Sequence, residues 1–236
     1  MKDLIAAMAE EKSYLNDRAN GIETVLSERL APYGYSNLTE YSQDKRDYLF
    51  NNWIPEIYPI DVRDITTDLE YAVKNEKYGI YISTANGFYA FHGTDEIDFE
   101  LCKELGVYVA ELYHQGGTIV GSEKDLGIEI VAPNDIGLDA GFIMNKFYEI
   151  IGKYVSGEIT INENDILVNG KKVMGSMRRS VGNVFVWAAQ VSFGDYRDII
   201  SQICTKKSVK EPSYIDSSVL SRETMESEVL AWLQKR

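Results

Sequence analysis

The chain has 236 residues, of which 24 are Lys or Arg and 37 are Asp or Glu, giving a formal net charge of −13. Its 44% hydrophobic and 11% aromatic content can fill a sizeable core, which excludes a disordered protein. No apolar run reaches the roughly 18–20 residues of a membrane span, and the first residues lack a signal-peptide stretch. We therefore expect a cytoplasmic protein without a membrane partner.

Composition also argues against two classes of partner. A strongly acidic chain cannot neutralise many phosphates, so general binding to nucleic acid is not expected. The 2 cysteines are far apart in sequence and the chain has only 2 histidines. This pattern predicts neither a disulfide framework nor a histidine-based zinc site.

Two local clusters of basic residues interrupt the acidic composition. Lys171, Lys172, Arg178 and Arg179 lie in a stretch without acids, and further lysines follow over 206–210. Positive pockets in an acidic protein are candidate sites for a phosphate or carboxylate of a small ligand. Two solvated loops are the simpler interpretation when charge is considered alone.

Hydrophobic periodicity predicts helices over about the first sixty residues, with Pro32 and Gly34 ending one of them. Strand and turn patterns take over after Pro55. A helix is expected over about 95–105, because Gly106 follows it in the usual terminating position.

The second half of the chain alternates between strands and helices. Strands are predicted over 126–132 and 184–191, and the clearest amphipathic helix over 139–154. Two further helices follow, the last of which has Ser221 as a candidate N-cap. Strands gathered around a few helices indicate an α+β domain from about residue 55 onward.

The most informative segment is a hairpin around Asn169 and Gly170. An Asn-Gly pair between two β-rich arms is the strongest short hairpin signal, since both turn positions need positive φ. This turn would pair Leu167 with Lys172 and Ile166 with Val173. Side chains alternate between the faces of a strand, so the residues expected on one side are Asp165, Leu167, Lys172 and Met174.

Asp165 and Lys172 are thereby brought close enough to act on one ligand. The carboxylate can hold a metal or a ribose, and the ammonium can neutralise developing negative charge. An ordinary surface hairpin with a diagonal salt bridge is the alternative, and spacing alone favours it.

The order of these features resembles the family of biotin and lipoate protein ligases and octanoyltransferases. That family has a glycine-rich turn, a long helix, a segment of the form Asn-Asp-hydrophobic, and a hairpin with an essential lysine. The resemblance covers roughly 65–220, and within that range the later segment 207–210 also resembles the lipoate ligases. The matching residues are Asn164, Asp165, Asn169, Gly170, Lys171, Lys172, Val173, Gly175, Ser176, Arg178 and Arg179.

The resemblance implies a class II biotin/lipoate ligase-like α+β fold, a mixed sheet flanked by helices, over 61–236, with 1–60 as an N-terminal helical extension. It implies an acyl adenylate made from ATP and lipoate or octanoate with Mg²⁺, and transfer of the acyl group to a lysine of a lipoyl-type carrier domain. Lys172 corresponds to the essential lysine, and Asp165 would hold Mg²⁺ or ribose. Leu167 and Met174 would line an acyl tunnel. The implied nucleotide- and acyl-binding residues are Gly116, Gly117, Thr118, Asn164, Asp165, Lys171, Gly175, Ser176, Arg178 and Arg179.

The glycine-rich turn departs from the family pattern. Its paired arginines are missing and Gln115 replaces a glycine, which leaves open a degenerate member that binds a ligand or carrier without activating anything. An octanoyltransferase that needs no ATP is a further alternative, with Cys204 as nucleophile. Cys204 also continues an apolar helix face, and a free cysteine there is more often a core residue. Nothing in the sequence specifically supports biotin as the acid.

Overall fold

The computed structural model describes residues 2–92, 97–111, 118–205 and 211–234. The chain divides into two compact units, the first made of 1–53 with 135–138, and the second made of 54–134 and 139–235. The predicted glycines Gly116 and Gly117 and the predicted segment 207–210 lie outside the described residues.

The described part of the first unit contains three α-helices, α1 (Leu4–Ala19), α2 (Leu26–Leu30) and α3 (Leu38–Asn52), and a short 3-10 helix over Ala31–Tyr33. Two of these helices have an N-cap side chain. Asp3 at α1 accepts a hydrogen bond from the Ala6 amide at 3.1 Å, and Asn37 at α3 accepts one from the Thr39 amide at 2.8 Å. Their shared core consists of Ala7, Leu30, Tyr35 and Tyr41. The helices predicted for this part of the chain are therefore present.

The second unit contains two sheets and five helices along its described residues. The strands are β1 (Glu56–Asp61), β2 (Gly79–Thr84), β3 (Tyr89–His92), β4 (Tyr108–Glu111), β5 (Ile119–Gly121), β6 (Leu126–Pro133), β7 (Ile159–Asn162), β8 (Asp165–Val168), β9 (Lys171–Val181) and β10 (Val184–Val191). The helices are α4 (Ile65–Lys74), α5 (Phe99–Glu104), α6 (Ala140–Tyr154), α7 (Arg197–Ile203) and α8 (Arg222–Gln234).

The large sheet has the strand order β1-β2-β6-β10-β9-β8-β7. The strands β1 and β2 are parallel, and every other pair of adjacent strands in this sheet is antiparallel. A small sheet has the order β4-β3-β5. This mixed sheet with helices confirms the predicted α+β class. No helix among the described residues is long and apolar enough to cross a bilayer.

The large sheet buries both of its faces. On one face the fully buried Trp187 of β10 packs against Phe147 of α6, with ring centroids 5.1 Å apart. On the other face Val131 and Val186 join a core cluster that also contains Ile65 of α4 and residues of β3. The second face is thus covered by α4 and the small sheet, and the candidate site lies on this side.

The helix predicted over 139–154 is α6, and Asp139 is its N-cap. The Asp139 carboxylate accepts a hydrogen bond from the Phe142 amide at 2.8 Å, so it satisfies one of the free amides of the first turn. We expect Asp139→Ala to lower the free energy of unfolding by about 1 kcal/mol, measured by urea denaturation. Glu149→Ala on the same helix is the control. Glu149 is 56% exposed and pairs with Lys146, so its loss should cost within about 0.5 kcal/mol. Equal losses in the two variants would contradict the capping role.

Candidate functional site

The predicted hairpin is present between β8 and β9. Asn169 and Gly170 form the turn with φ of 51° and 77°, the positive values that the Asn-Gly pair predicted. Leu167 pairs with Lys172 and Val168 pairs with Lys171, as expected from a two-residue loop.

Beyond Lys172 the predicted register is wrong by one residue. The pairing shifts between Ile166 and Leu167, so Ile166 faces Met174 and Asp165 faces Gly175. One strand accommodates an extra residue at Val173, which is the geometry of a β-bulge. Met174 therefore lies on the opposite face from Lys172, with 1% of its surface exposed, and Gly175 takes the expected place beside Asp165.

Lys172 and Asp165 form an ion pair at the predicted position. The Lys172 Nζ lies 3.0 Å from the Asp165 Oδ1, with 33% and 13% of the two side chains exposed. The Lys172 backbone is held as well, because its amide donates to the Glu211 carbonyl at 2.9 Å and its carbonyl accepts from the Ser213 amide at 2.7 Å. The ammonium is thus fixed in position on a strand that is hydrogen-bonded on both sides.

Gly175 leaves room for this ion pair. A Cβ atom at Gly175 would lie 2.8 Å from both the Cε and the Nζ of Lys172, and 3.4 Å from the Asp165 Oδ1. Any side chain at this position must displace the ammonium group.

Lys171, which the resemblance also implied as a binding residue, points elsewhere. Its Nζ pairs with the Glu211 Oε1 at 2.8 Å, and both side chains are largely exposed. Among the described residues Lys171 does not line the cavity described next.

The ion pair opens into a cavity of about 610 Å³ on the covered face of the large sheet. Its walls come from α4, the small sheet, and the strands β2, β6, β8, β9 and β10. Eight of the predicted site residues line it: Thr118, Asn164, Asp165, Lys172, Gly175, Ser176, Arg178 and Arg179. The fold therefore brings together residues that the sequence singled out from two separate segments.

Two of these residues are held by a local contact. The Ser176 amide and hydroxyl both donate to the Asn164 carbonyl, at 2.7 and 3.0 Å. This fixes the segment before β8 against β9. The Asn164 side chain is exposed, so it remains accessible to a ligand in the cavity.

Arg178 and Arg179 lie one after the other on β9, on alternate faces of the strand. Arg179 is half-buried, and its Nε atom is buried without a hydrogen-bond partner among the described residues. A buried donor without a partner is costly, so an anionic group in the cavity would satisfy it. Arg178 is exposed at the cavity margin.

A buried carboxyl group in the cavity was not identified from the sequence. Glu129, in the middle of β6, is 4% exposed, and its two carboxyl oxygens lie 3.0 and 3.2 Å from the Ser83 hydroxyl, which donates to them. Burial raises the pKa of the Glu129 carboxyl to about 8, although the Ser83 hydrogen bond acts in the opposite direction. The signal in the sequence was a single acid inside the apolar run of β6.

A second buried carboxylate, Asp125, orders the strand ends around the site. It accepts hydrogen bonds from the amides of Ser122, Phe193 and Gly194 at 3.1, 2.7 and 3.3 Å. Burial raises its pKa to about 6, against these hydrogen bonds. Asp125 is not among the described residues that line the cavity, and its hydrogen bonds connect the residue after β5 to the residues after β10.

Cys204, the alternative nucleophile, lies away from the cavity wall. It follows the last residue of α7 and forms an isolated β-bridge with Ile97. It packs against a cluster that includes Cys102 and Ile203 and is half-buried. The residues that line the cavity in the described part of the chain do not include it.

Comparison with known proteins places this geometry in a wider context. No protein-family profile and no curated protein sequence matches the chain. Solved structures do match. LipL1 of P. falciparum in complex with lipoate has a TM-score of 0.64 and 14% identity, over 76% of this chain and 62% of LipL1. The chain therefore spans less than two thirds of the length of that protein.

In two further solved structures the match with this chain covers a larger share of the other protein. The bi-partite lipoate protein ligase of Thermoplasma acidophilum has a TM-score of 0.61 and 16% identity, over 76% of this chain and 83% of the archaeal chain. A lipoate-protein ligase A bound with ATP has a TM-score of 0.59 and 15% identity, over 77% and 85% of the two chains. The predicted resemblance is confirmed in the fold: this chain has the fold of the lipoate-protein ligases.

Proposed function

We propose that the chain is a lipoate ligase-like acyltransferase that activates lipoate or a medium-chain fatty acid with ATP and transfers it to a lysine of a carrier domain. The observation that carries the proposal is the Lys172–Asp165 ion pair, 3.0 Å long, at the wall of a cavity of about 610 Å³. Structures of the same fold contain lipoate in one case and ATP in another.

The proposed reaction has two steps. First, a carboxylate oxygen of the acid attacks the α-phosphorus of ATP and pyrophosphate leaves, which produces an acyl adenylate. Next, the amine of the carrier lysine attacks the acyl carbonyl, AMP leaves, and the amine loses its proton to solvent. Negative charge grows on phosphate and carbonyl oxygens in both transition states, and the Lys172 ammonium is positioned to stabilise it.

Phosphate binding in this proposal relies on β9 more than on the glycine-rich turn. Arg179 offers a buried, unsatisfied Nε donor, and Arg178 adds a second guanidinium at the margin. Guanidinium groups match phosphate geometry with paired donors. These arginines are the proposed replacement for those that the turn lacks.

Magnesium is the metal that this chemistry implies. Among the described residues, no group of three or more His, Cys, Asp or Glu side chains is arranged to hold a metal ion. Mg²⁺ in nucleotide sites is commonly held by one or two carboxylates together with phosphates and water. Asp165, whose carboxylate borders the cavity, fits that mode and is the residue that would hold it, where the ion would neutralise phosphate charge.

We expect Gly175→Ala to slow adenylate formation strongly and to change the free energy of unfolding little. The new Cβ would displace the flexible end of Lys172 from its present position 3.0 Å from Asp165, and a misplacement of about 1 Å can cost about 10²-fold in rate. Pyrophosphate release and urea denaturation measure the two effects. Gly152→Ala in α6 is the control, since its Cβ would meet only Ile159 at an ordinary 3.9 Å; equal rates for the two variants would exclude this role of Gly175.

Arg179→Ala should weaken ATP binding about tenfold, because it removes a charge-assisted donor to phosphate. Binding of the acid alone should change little. Calorimetric titrations with ATP and with octanoate separate the two effects. Arg63→Ala provides the control, since Arg63 makes an exposed pair with Asp61; an unchanged Kd for ATP in Arg179→Ala would remove the arginine from the phosphate site.

The wider parts of the proposal concern partners and domain roles. A solved structure of this fold belongs to an archaeal lipoylation system with its E2 lipoyl domain. We propose a lipoyl-type domain as the acceptor here. We also propose 1–60 as an N-terminal extension of a catalytic domain over 61–236, with the helices α1 to α3 preceding the strand β1. A cytoplasmic location belongs to the same proposal.

The deciding experiment follows pyrophosphate release when the chain is mixed with ATP, Mg²⁺ and either lipoate or octanoate. Mass spectrometry of the acyl adenylate and of an added lipoyl domain then follows the product. We expect acid-dependent pyrophosphate release and a carrier mass increased by one acyl group. Acid binding without pyrophosphate release would contradict the proposal and favour a ligand-binding protein, or the transferase alternative, which Cys204→Ser would test.

A further inference from the structure

The floor of the cavity is a row of residues that crosses five strands of the large sheet. The pairing register aligns Asp165, Gly175, Gln190, Gly127 and Ser83, in that order, from β8 to β2. Adjacent strands are ~4.8 Å apart, so Ser83 lies three strand spacings, about 14 Å, from Gly175. The cavity therefore has two polar ends, and the Lys172–Asp165 pair occupies only one of them.

Two glycines lie near the ends of this row, Gly175 beside Lys172 and Gly127 beside Ser83, and Gln190 lies between them. A Cβ at Gly175 would collide with Lys172, and one at Gly127 would lie 2.7 Å from the Cβ and Oγ of Ser83. In the next row Glu129 is followed by Ala188, another small residue. A ligand chain can therefore pass Gln190 on the side of Ala188, which also lines the cavity, and reach Glu129.

The far end of the cavity is formed by Glu129 and Ser83, both of which line it. Glu129 is 4% exposed, and the side-chain donor it receives among the described residues is the single hydroxyl of Ser83. In the part of the chain that the structure describes, no cationic nitrogen lies within ion-pairing distance of it. Burial raises the pKa of this carboxyl to about 8, so near neutral pH it carries an O–H of its own and has acceptor positions beyond those used by Ser83 and by its own backbone amide.

The neighbouring polar groups of this end are already satisfied within the protein. The Tyr89 hydroxyl donates to the Gln190 Oε1 at 3.1 Å, and the Gln190 Nε2 donates to the Val120 carbonyl at 2.9 Å. Glu129 therefore differs from them: within the described ranges Ser83 is its one side-chain hydrogen-bond partner, and a ligand in the cavity can supply another.

Apolar residues of α4, the small sheet and β10 alternate with polar residues such as Thr66, Glu70 and Thr118 in the rest of the cavity wall. The apolar residues are Ile65, Leu69, Phe91, Ile119 and Val186. An alkyl chain fits the apolar part of this wall, but an alkyl group placed against Glu129 would leave a dehydrated carboxyl without a donor, which costs affinity.

We propose that the cavity binds a carboxylic acid whose chain carries a hydrogen-bond donor, a hydroxyl or an amine, and that Glu129 and Ser83 recognise that donor while Lys172 faces the acid group. A plain alkyl acid is then the poorer ligand. The inference rests on the proposed function only for the placement of the acid group at Lys172.

The test is calorimetric binding of matched acids to the full chain, without ATP. The acids are octanoate, ω-hydroxyoctanoate and ω-aminooctanoate, together with the six- and ten-carbon members of each series. We expect a donor-bearing acid of the best length to bind 10- to 100-fold tighter than its alkyl counterpart. The hydroxy and amino arms show which donor is preferred. Equal or tighter binding of the alkyl acids overturns the inference.

Two variants connect the preference to Glu129. Glu129→Leu removes the acceptor and should reverse the order, so that octanoate binds tighter than either donor-bearing acid. Glu129→Gln keeps the shape and one acceptor oxygen, and should retain part of the preference for the hydroxy acid; it also serves if the leucine variant fails to fold. Glu149→Leu on the exposed surface of α6 is the matched control and should keep the wild-type order. A preference that persists in Glu129→Leu would overturn the assignment.

The proposed function fails separately from this inference. If donor-bearing acids bind preferentially and no pyrophosphate is released with ATP, the binding inference stands and the ligase reaction falls. If octanoate is activated as well as its hydroxylated counterpart, the ligase reaction stands and the inference falls. Failure of every acid to bind the wild-type chain overturns both.

Discussion

Lys172→Ala is expected to slow acyl adenylate formation by about 10²–10³-fold, the loss found when one preorganised donor to a developing oxyanion is removed. The Asp165 carboxylate holds the ammonium at 3.0 Å. The Lys172 backbone is bonded to Glu211 and Ser213 on one side, and β9 pairs with β8 on the other. The ammonium therefore needs little reorganisation when charge develops. Pyrophosphate release in a single turnover, at saturating ATP and acid, measures the chemical step apart from binding.

Lys171→Ala is the matched control for that prediction. The two lysines are adjacent and have the same side chain, but Lys171 pairs with the exposed Glu211 and does not line the cavity. Its removal should change the rate less than about twofold, because exposed ion pairs contribute little. Equal losses in both variants would mean that general positive charge on β9 matters, and not the position of one ammonium.

The hairpin could be predicted from the sequence because its signals are local. Asn169 and Gly170 need only their own φ values, and the turn then fixes the first two cross-strand pairs. The resemblance added the prediction that Lys172 is catalytic, which spacing alone did not distinguish from an ordinary salt bridge. The start of α6 is a local signal too, since the N-cap residue Asp139 directly precedes the apolar helical pattern.

The register beyond Lys172 could not be predicted, for a physical reason. A β-bulge is one extra residue in one strand, and neither Val173 nor its neighbours carry a composition that marks it. The bulge exchanges Met174 for Gly175 on the cavity face, so it replaces an expected apolar wall with open space. Met174 therefore does not form the wall predicted for an acyl tunnel; Leu167 keeps its predicted pairing with Lys172, but it does not line the cavity either.

The far end of the cavity depends on long-range contacts. Ser83 and Glu129 are 46 positions apart and meet only because β2 pairs with β6. The strand β6 is buried almost throughout, so its side chains show no alternation from which a face could be deduced. The residues of β6 that face the cavity are determined by the packing of α4 and the small sheet over the large sheet, and the sequence of β6 alone does not show this packing.

Glu129→Gln is expected to remove a pH dependence of stability. The folded state raises the pKa of Glu129 from the ordinary 4.5 to about 8, chiefly because the group is buried. Between these values the native chain binds a proton that the unfolded chain has released. The stability contributed by this group is therefore fully present below about pH 4.5 and is lost as the pH rises toward 8.

The expected result is that Glu129→Gln changes the free energy of unfolding little near pH 5 and raises it near pH 8.5 by on the order of 1–3 kcal/mol. Urea denaturation at several pH values measures the difference. Burial raises the pKa of Asp125 from 3.8 to about 6, so its stability contribution is lost as the pH rises through that lower range. This loss should be the same in the wild-type chain and in Glu129→Gln.

Glu223→Gln is the matched control because its sign is opposite. Hydrogen bonds from its own backbone and from Ser221 lower the pKa of the Glu223 carboxyl, so its contribution is present above the ordinary pKa and is lost as the pH falls. Its removal should not stabilise the chain at high pH. If Glu129→Gln follows the wild-type curve from pH 5 to 8.5, the carboxyl is ionised in the folded chain without penalty. Solvent or a cation must then reach the far end of the cavity, and that end would not select a neutral donor over water.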